Sequence, residues 1–169
     1  MLDRDKEGEY NADYSCRNGR SDMRLSTKGR YGFRALLQLA LSYGRGPVHL
    51  KHIAAKQQIS LKYLEQLIAS LMAAGFVKSI RGAKGGYLLT RPPHEISLSE
   101  VFQALEGSLA PVECVDDVGV CQRANFCVTR DVWKEMKEAL DRVLGPLTLK
   151  DLVERHKKKT AEQKLMYYI

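Results

Sequence analysis

A chain of 169 residues, 44% hydrophobic and 28% charged, has room for one compact domain, or a small domain with a helical appendage, and the balance of a soluble globular protein. It holds no apolar run of the roughly eighteen residues that a membrane span needs. The opening MLDRDKEGEY lacks the apolar core of a signal peptide, so a cytoplasmic location with reduced thiols and no membrane partner is expected.

The net charge of +7 is unevenly spread: Met23 to Pro93 carries twelve Lys/Arg against one acid, Glu65, whereas residues 94–169 carry eleven bases and thirteen acids. So basic a segment suits a polyanion, nucleic acid first, because Lys and Arg gain affinity by releasing counterions from phosphates. The other reading is a solvated basic face.

In chain order, residues 1–22 are polar and aperiodic, as expected of disorder or of a non-native extension. Cys16 falls there, and MRLSTKGRYG at Met23 reads as a natural start. After Thr27, the spacing of Phe33, Leu36, Leu37, Ala40 and Leu41 predicts a helix with those residues on one face. GRGPV breaks it. Leu50, Ile53 and Ala54 mark a second helix. Ser60 is placed to cap a third, with Leu64, Leu67, Ile68 and Leu71 on its buried face and Gly75 to stop it. Two short helices with a tight connection form the helix-turn-helix pattern. The strand-like FVKSI and YLL enclose RGAKGG, a glycine-rich hairpin tip carrying Arg81 and Lys84. A helix-turn-helix with such a wing is a winged helix, and its fold class is mainly α with a small β-hairpin. Helix-helix-hairpin units also serve as protein-interaction modules; the charge asymmetry favours DNA.

Residues 23–93 are therefore read as the winged helix-turn-helix domain. Ser60, Lys62, Tyr63, Glu65 and Gln66 occupy the first two turns of the third helix, the part that enters a major groove. Gln66 can pair bidentately with adenine and Glu65 can accept from cytosine N4. Lys28, Arg30, Lys51 and Lys84 are candidate phosphate contacts, and Arg81 is placed to reach a phosphate or a minor groove. Pro92-Pro93 precedes a short helix, LSEVFQALEG, capped by Ser97 or Ser99.

Residues 94–127 join that helix to CVDDVGVCQRANFC, in which Cys114, Cys121 and Cys127 are spaced C-x6-C-x5-C. Thiolates suit an iron–sulfur cluster or zinc, and exposed low-pKa thiols suit reversible oxidation. Residues 128–169 form a further helix and tail. Trp133, Met136, Leu140, Val143 and Leu147 make one apolar seam that must be buried, and dimerisation is favoured because such proteins usually read two half-sites. TLKDLVERHKKKT reads as another short helix.

An enzyme has little support. His49, His52, His94 and His156 are scattered, and RGAKGG lies in a hairpin rather than at a strand-to-helix phosphate loop.

MRLSTKGRYGFRALLQLAL, SLKYLEQL, RGAKGGY and the three cysteines resemble the bacterial Rrf-two superfamily from residue 23 onward. The resemblance implies a homodimeric transcription factor, a repressor at a double-stranded operator, with a long helix crossing between subunits. The cysteines are similar to the cluster loop of the superfamily's IscR-like branch, which implies a [2Fe-2S] cluster and control of iron–sulfur biogenesis or cysteine metabolism genes. Relatives of that branch place a histidine three residues after the last cysteine, where this chain has Arg130. In NsrR-like relatives an acid serves, at a position held here by Arg30. The fourth ligand is then Glu113, Asp116, Asp117, a partner-chain residue or an exogenous group. LEGSLAPVE and the terminal MYYI resemble the CymR-like branch. That implies the alternative of a cysteine-metabolism repressor signalled through cysteine synthase, with Tyr167, Tyr168 and Ile169 as the docking tail. A zinc- or thiol-based redox protein is the remaining alternative.

Overall fold

The computed structural model describes residues 25–166. Six α-helices and one hairpin follow in order: α1 (Thr27–Leu41), α2 (Leu50–Gln57), α3 (Leu61–Ala73), β1 (Val77–Ile80), β2 (Gly86–Leu89), α4 (Leu98–Glu106), α5 (Val128–Leu144) and α6 (Leu149–Met166). Short 3-10 turns lie at Pro93–Glu95 and, between α4 and α5, at Glu113–Val115, Val118–Val120 and Ala124–Phe126. The expected mainly helical chain with a two-stranded hairpin is what forms.

Three serines start three helices. Ser26 Oγ accepts from Gly29 N at the head of α1, and Ser60 Oγ from Tyr63 N at the head of α3. Ser97, rather than Ser99, caps α4 in a capping box with Glu100. Each such cap is worth about 1 kcal/mol, because it satisfies an amide that the first helical turn leaves unpaired.

The core is one cluster in which Leu36, Ile53, Leu64, Ile68, Leu71, Ile96, Val101 and Leu149 are fully buried. Leu64, Leu67, Ile68 and Leu71 form the buried face of α3 as the spacing predicts. The face of α1 is turned from the expected one. Gly29, Gly32, Ala35, Leu36, Leu39 and Ala40 are buried, while Phe33, Leu37 and Leu41 are only half-buried. The two glycines explain the rotation: a helix without side chains there lets α4 approach closely, and close packing rewards the turned phase.

The cluster reaches past the hairpin. Ile96, Leu98, Val101 and Leu105 around α4, and Leu149 at the head of α6, belong to it. Two backbone bonds moor α6: Leu98 N donates to Leu147 O at 2.8 Å and Leu149 N to Ile96 O at 3.0 Å. Once moored, α6 runs 18 residues to Met166, longer than the short helix expected, because nothing in VERHKKKTAEQK breaks a helix. By contrast α5 buries none of its residues. Trp133 and Met136 of its seam are half-buried, Leu140 and Val143 are exposed, and Leu147, expected on the same seam, lies half-buried beyond the end of the helix.

The hairpin pairs Val77 with Leu89 and Ile80 with Gly86. A third segment locks it. Val48, just before α2, exchanges both backbone bonds with Tyr87, at 3.0 and 2.9 Å. The wing is thereby tied to the entry of the helix-turn-helix. This demands glycine at 86, since a Cβ there would lie 2.7 Å from Val48 O.

Candidate nucleic-acid interface and cysteine loop

The turn between α2 and α3 is built by Gln58, which takes φ +54°, a left-handed conformation that costs a non-glycine residue about 1 kcal/mol. Ile59 is buried behind it, and Ser60 opens α3. With its apolar face in the core, α3 presents Lys62, Glu65 and Gln66 to solvent, and Tyr63 stands half-buried beside them. These are the expected base-reading positions, and they share one side of the helix.

Tyr63 is held from α1. Its ring meets Tyr31 edge to face, with centroids 6.0 Å apart. The Arg34 guanidinium lies 5.2 Å from the Tyr31 ring centre, and it also grips the end of α2, donating to Gln57 Oε1 at 2.9 Å and to Gln57 O at 2.6 Å. Tyr31, Arg34 and Gln57 thus join α1, α2 and the outward face of α3. Sequence reasoning passed over them. The available signal was the pair Arg30 and Arg34 set one residue before and three after a tyrosine, which puts cations on both sides of one ring.

The expected cations sit on three further elements. Lys28 is half-buried and Arg30 exposed on the first turn of α1, Lys51 is exposed on α2, and Arg81 and Lys84 are exposed in the wing loop. Arg30 donates to Thr27 Oγ1 at 3.3 Å. Among the described residues the ion pairs are Arg91–Glu100, His94–Glu95, Lys137–Asp141 and Lys150–Glu154. The cations of α1 to α3 and of the wing loop are therefore in no ion pair among the described residues, as suits a polyanion-binding surface.

Cys114, Cys121 and Cys127 are free and half-exposed. Burial, with the neighbouring Cys121 thiol, pushes the Cys114 thiol up from its ordinary value. A hydrogen bond with Thr129 Oγ1, sulfur to oxygen 3.1 Å, pulls the Cys127 thiol down. The loop is ordered by polar contacts of its own: Ser108 Oγ to Asp116 Oδ2, Gly119 N to Asp117 Oδ1 at 2.8 Å, and Arg130 Nε to Cys114 O at 2.7 Å. Arg130, three residues after the last cysteine, is thus bound to the backbone of the first. Asp116 and Asp117 are engaged in turns. Three thiols are the right chemistry for an iron–sulfur cluster. Among the described residues no three Cys, His, Asp or Glu side chains are gathered to hold a single metal ion. The expectations for residues 1–22, for Met23, and for Tyr167, Tyr168 and Ile169 lie outside the described residues. No helix among those described is long and apolar enough to cross a membrane.

Residues 25–155 match the family model Rrf2, described as an iron-dependent transcriptional regulator. The regulator CymR of Bacillus subtilis strain 168 is 42% identical over 130 residues, covering 77% of this chain and 89% of CymR. Its solved structure, titled as that of the global cysteine regulator, superposes with a TM-score of 0.67 over 78% of this chain and 97% of that one. The regulator IscR of Xenorhabdus nematophila is 42% identical over 131 residues, 78% of this chain and 79% of its own. The structure of IscR from T. potens is 43% identical with a TM-score of 0.68, covering 80% and 90% of the two chains. With a winged helix-turn-helix, a basic surface and a family match over most of its length, this chain belongs to the Rrf2 family of transcriptional regulators.

Proposed function

We propose that this protein is a homodimeric repressor that reads operator DNA with α3 and the wing, and whose grip on DNA follows the chemical state of Cys114, Cys121 and Cys127. The observation that carries the DNA reading is the outward row Lys62, Glu65 and Gln66 on a capped helix, beside a wing loop whose Arg81 and Lys84 have no acidic partner among the described residues. Gln66 and Glu65 select bases. Arg81, Lys84, Lys28, Arg30 and Lys51 supply backbone attraction, and Arg81 is the wing residue that enters the minor groove. The seam of α5, left open by its own chain, is where the second copy packs, which sets two recognition helices for two half-sites.

The likeness to IscR and CymR supports targets in iron–sulfur or cysteine metabolism, and the three thiols are the ligands offered to an iron–sulfur cluster. The fourth ligand comes from outside the three.

The test is binding to a duplex selected from a randomised pool. Gln66→Ala is expected to lose about 1–3 kcal/mol of discrimination at one base pair. Arg81→Ala is expected to weaken all sequences alike and to lower the salt slope by about one. Wild-type affinity in both variants sinks the assignment. Anaerobic reconstitution with iron and sulfide, read by visible absorption and metal content, tests the cluster. A colourless protein holding stoichiometric zinc rules it out.

A further inference from the structure

Two adjoining contacts close the end of α4 onto the start of α1, and neither base reading nor thiol chemistry uses them. Glu106, the last residue of α4, receives two hydrogen bonds from Ser26. The hydroxyl donates to Oε1 at 2.6 Å and the amide to Oε2 at 3.3 Å. Ser26 Oγ also accepts from Gly29 N at 3.0 Å, so the cap of α1 and its clasp by Glu106 share one hydroxyl.

The clasp has a fitted seat. A Cβ on Gly29 would lie 1.8 Å from Glu106 Oε1, and one on Gly32 would lie 2.5 Å from Leu105 Cδ1. Glycines three apart stand one above the other on a helix, so they form a notch that admits the last two residues of α4. The carboxylate sits at the positive end of the α1 dipole, which favours it.

The two sides of this clasp carry different chemistry. At about 100° per residue, Lys28 and Arg30 flank Gly29 on the turn that Glu106 holds. On the other side the chain leaves α4 at Gly107 and runs directly into the segment of Cys114, Cys121 and Cys127. The carboxylate does not itself attract DNA; its charge opposes phosphate. Its contribution to binding must come through the turn it fixes.

We propose that Glu106 is a positioning residue for DNA-backbone contact, holding the first turn of α1 so that Lys28 and Arg30 meet phosphates, and that this clasp is the link through which the cysteine loop acts on that surface. The proposal rests on the DNA-binding reading above.

The experiment uses the full chain and the selected duplex. Glu106→Ala is expected to lower affinity about fivefold and to flatten the salt dependence by about one unit of slope. Preference among base-substituted duplexes stays as in wild type, because α3 is untouched. Glu106→Gln, which keeps one acceptor for Ser26 Oγ, falls between and serves where Glu106→Ala does not fold. Replacing Cys114, Cys121 and Cys127 together by Ser is expected to change affinity in the Glu106 background, and by less than half that factor beside Glu106→Ala. Wild-type affinity and slope in both Glu106 variants, or lost affinity with altered base preference and unaltered slope, overturns the positioning role. Equal loop effects in the two backgrounds overturn the link. Failure of the wild-type chain to bind any duplex is a different result, and strikes the DNA reading instead.

Discussion

Substituting Gly86 by Ala isolates what holds the wing. Gly86 takes φ +150°, and a methyl added there would lie 2.7 Å from Val48 O and 2.9 Å from Val48 C. Both atoms are backbone, so no rotamer change relieves the clash, and Val48 must withdraw from Tyr87. The loss is then the two bonds at 3.0 and 2.9 Å, about 1 kcal/mol each, plus about 1–2 kcal/mol for a non-glycine residue held in that conformation. A total of about 3 kcal/mol is a large part of ordinary stability, and for a domain of this size it lowers the melting temperature by roughly 10 °C. Gly82, at φ +108° with nothing within 4 Å of an added Cβ, is the matched control, since alanine there brings conformational strain without a clash. Thermal melts followed by circular dichroism, with operator binding on the same samples, compare the two. The wing of Gly86→Ala is released from the entry of α2, so its DNA affinity falls even at temperatures where the chain stays folded. Equal melting temperatures for Gly82→Ala and Gly86→Ala would refute the reasoning, because strain alone would then explain both.

Arg34→Ala removes the grip on Gln57 and the cation beside Tyr31; operator affinity is expected to fall about tenfold with altered base preference, read by fluorescence anisotropy against single-base variants. Leu149→Ala, at a fully buried position, is expected to cost about 2–5 kcal/mol in urea unfolding and to loosen α6 first, seen as early amide exchange along that helix. Asp151, hydrogen-bonded by the hydroxyl and amide of Thr148, has its carboxyl held below its ordinary value near 3.8. A depressed carboxyl stabilises the fold above its unfolded pKa, and that contribution is lost as pH falls through the folded one. Asp151→Asn is therefore expected to reduce stability at neutral pH and to flatten the acid limb below about pH 4, checked by melting between neutral and acid pH.

Much of this was legible in the sequence, where local chemistry and the global fold agree. The buried stripe of α3, its Ser60 cap and the alternation either side of RGAKGG each follow from a period or a residue type. The phase of α1 was not legible, because hydrophobic periodicity counts side chains, and the deciding residues, Gly29 and Gly32, have none. Arg34 was passed over for a related reason: its partners Gln57 and Tyr31 meet only when α1 and α2 pack, and an arginine in a basic segment resembles its neighbours. The spacing of the three cysteines was read correctly as a loop. The contacts of Arg130, Asp116 and Ser108 that set the path of this loop are recorded by no spacing rule.

Arg130 is the residue on which the thiol chemistry of this loop turns. Its guanidinium joins the first turn of α5 to the carbonyl of Cys114, sixteen residues earlier, and so ties the segment of the last cysteine to that of the first. A hydrogen bond from a charged donor contributes about 1.5–3 kcal/mol. With the Ser108–Asp116 and Gly119–Asp117 contacts, it fixes the path of the loop that carries the three thiols. A ligand that draws the three sulfurs together has to offset whichever of these contacts it breaks.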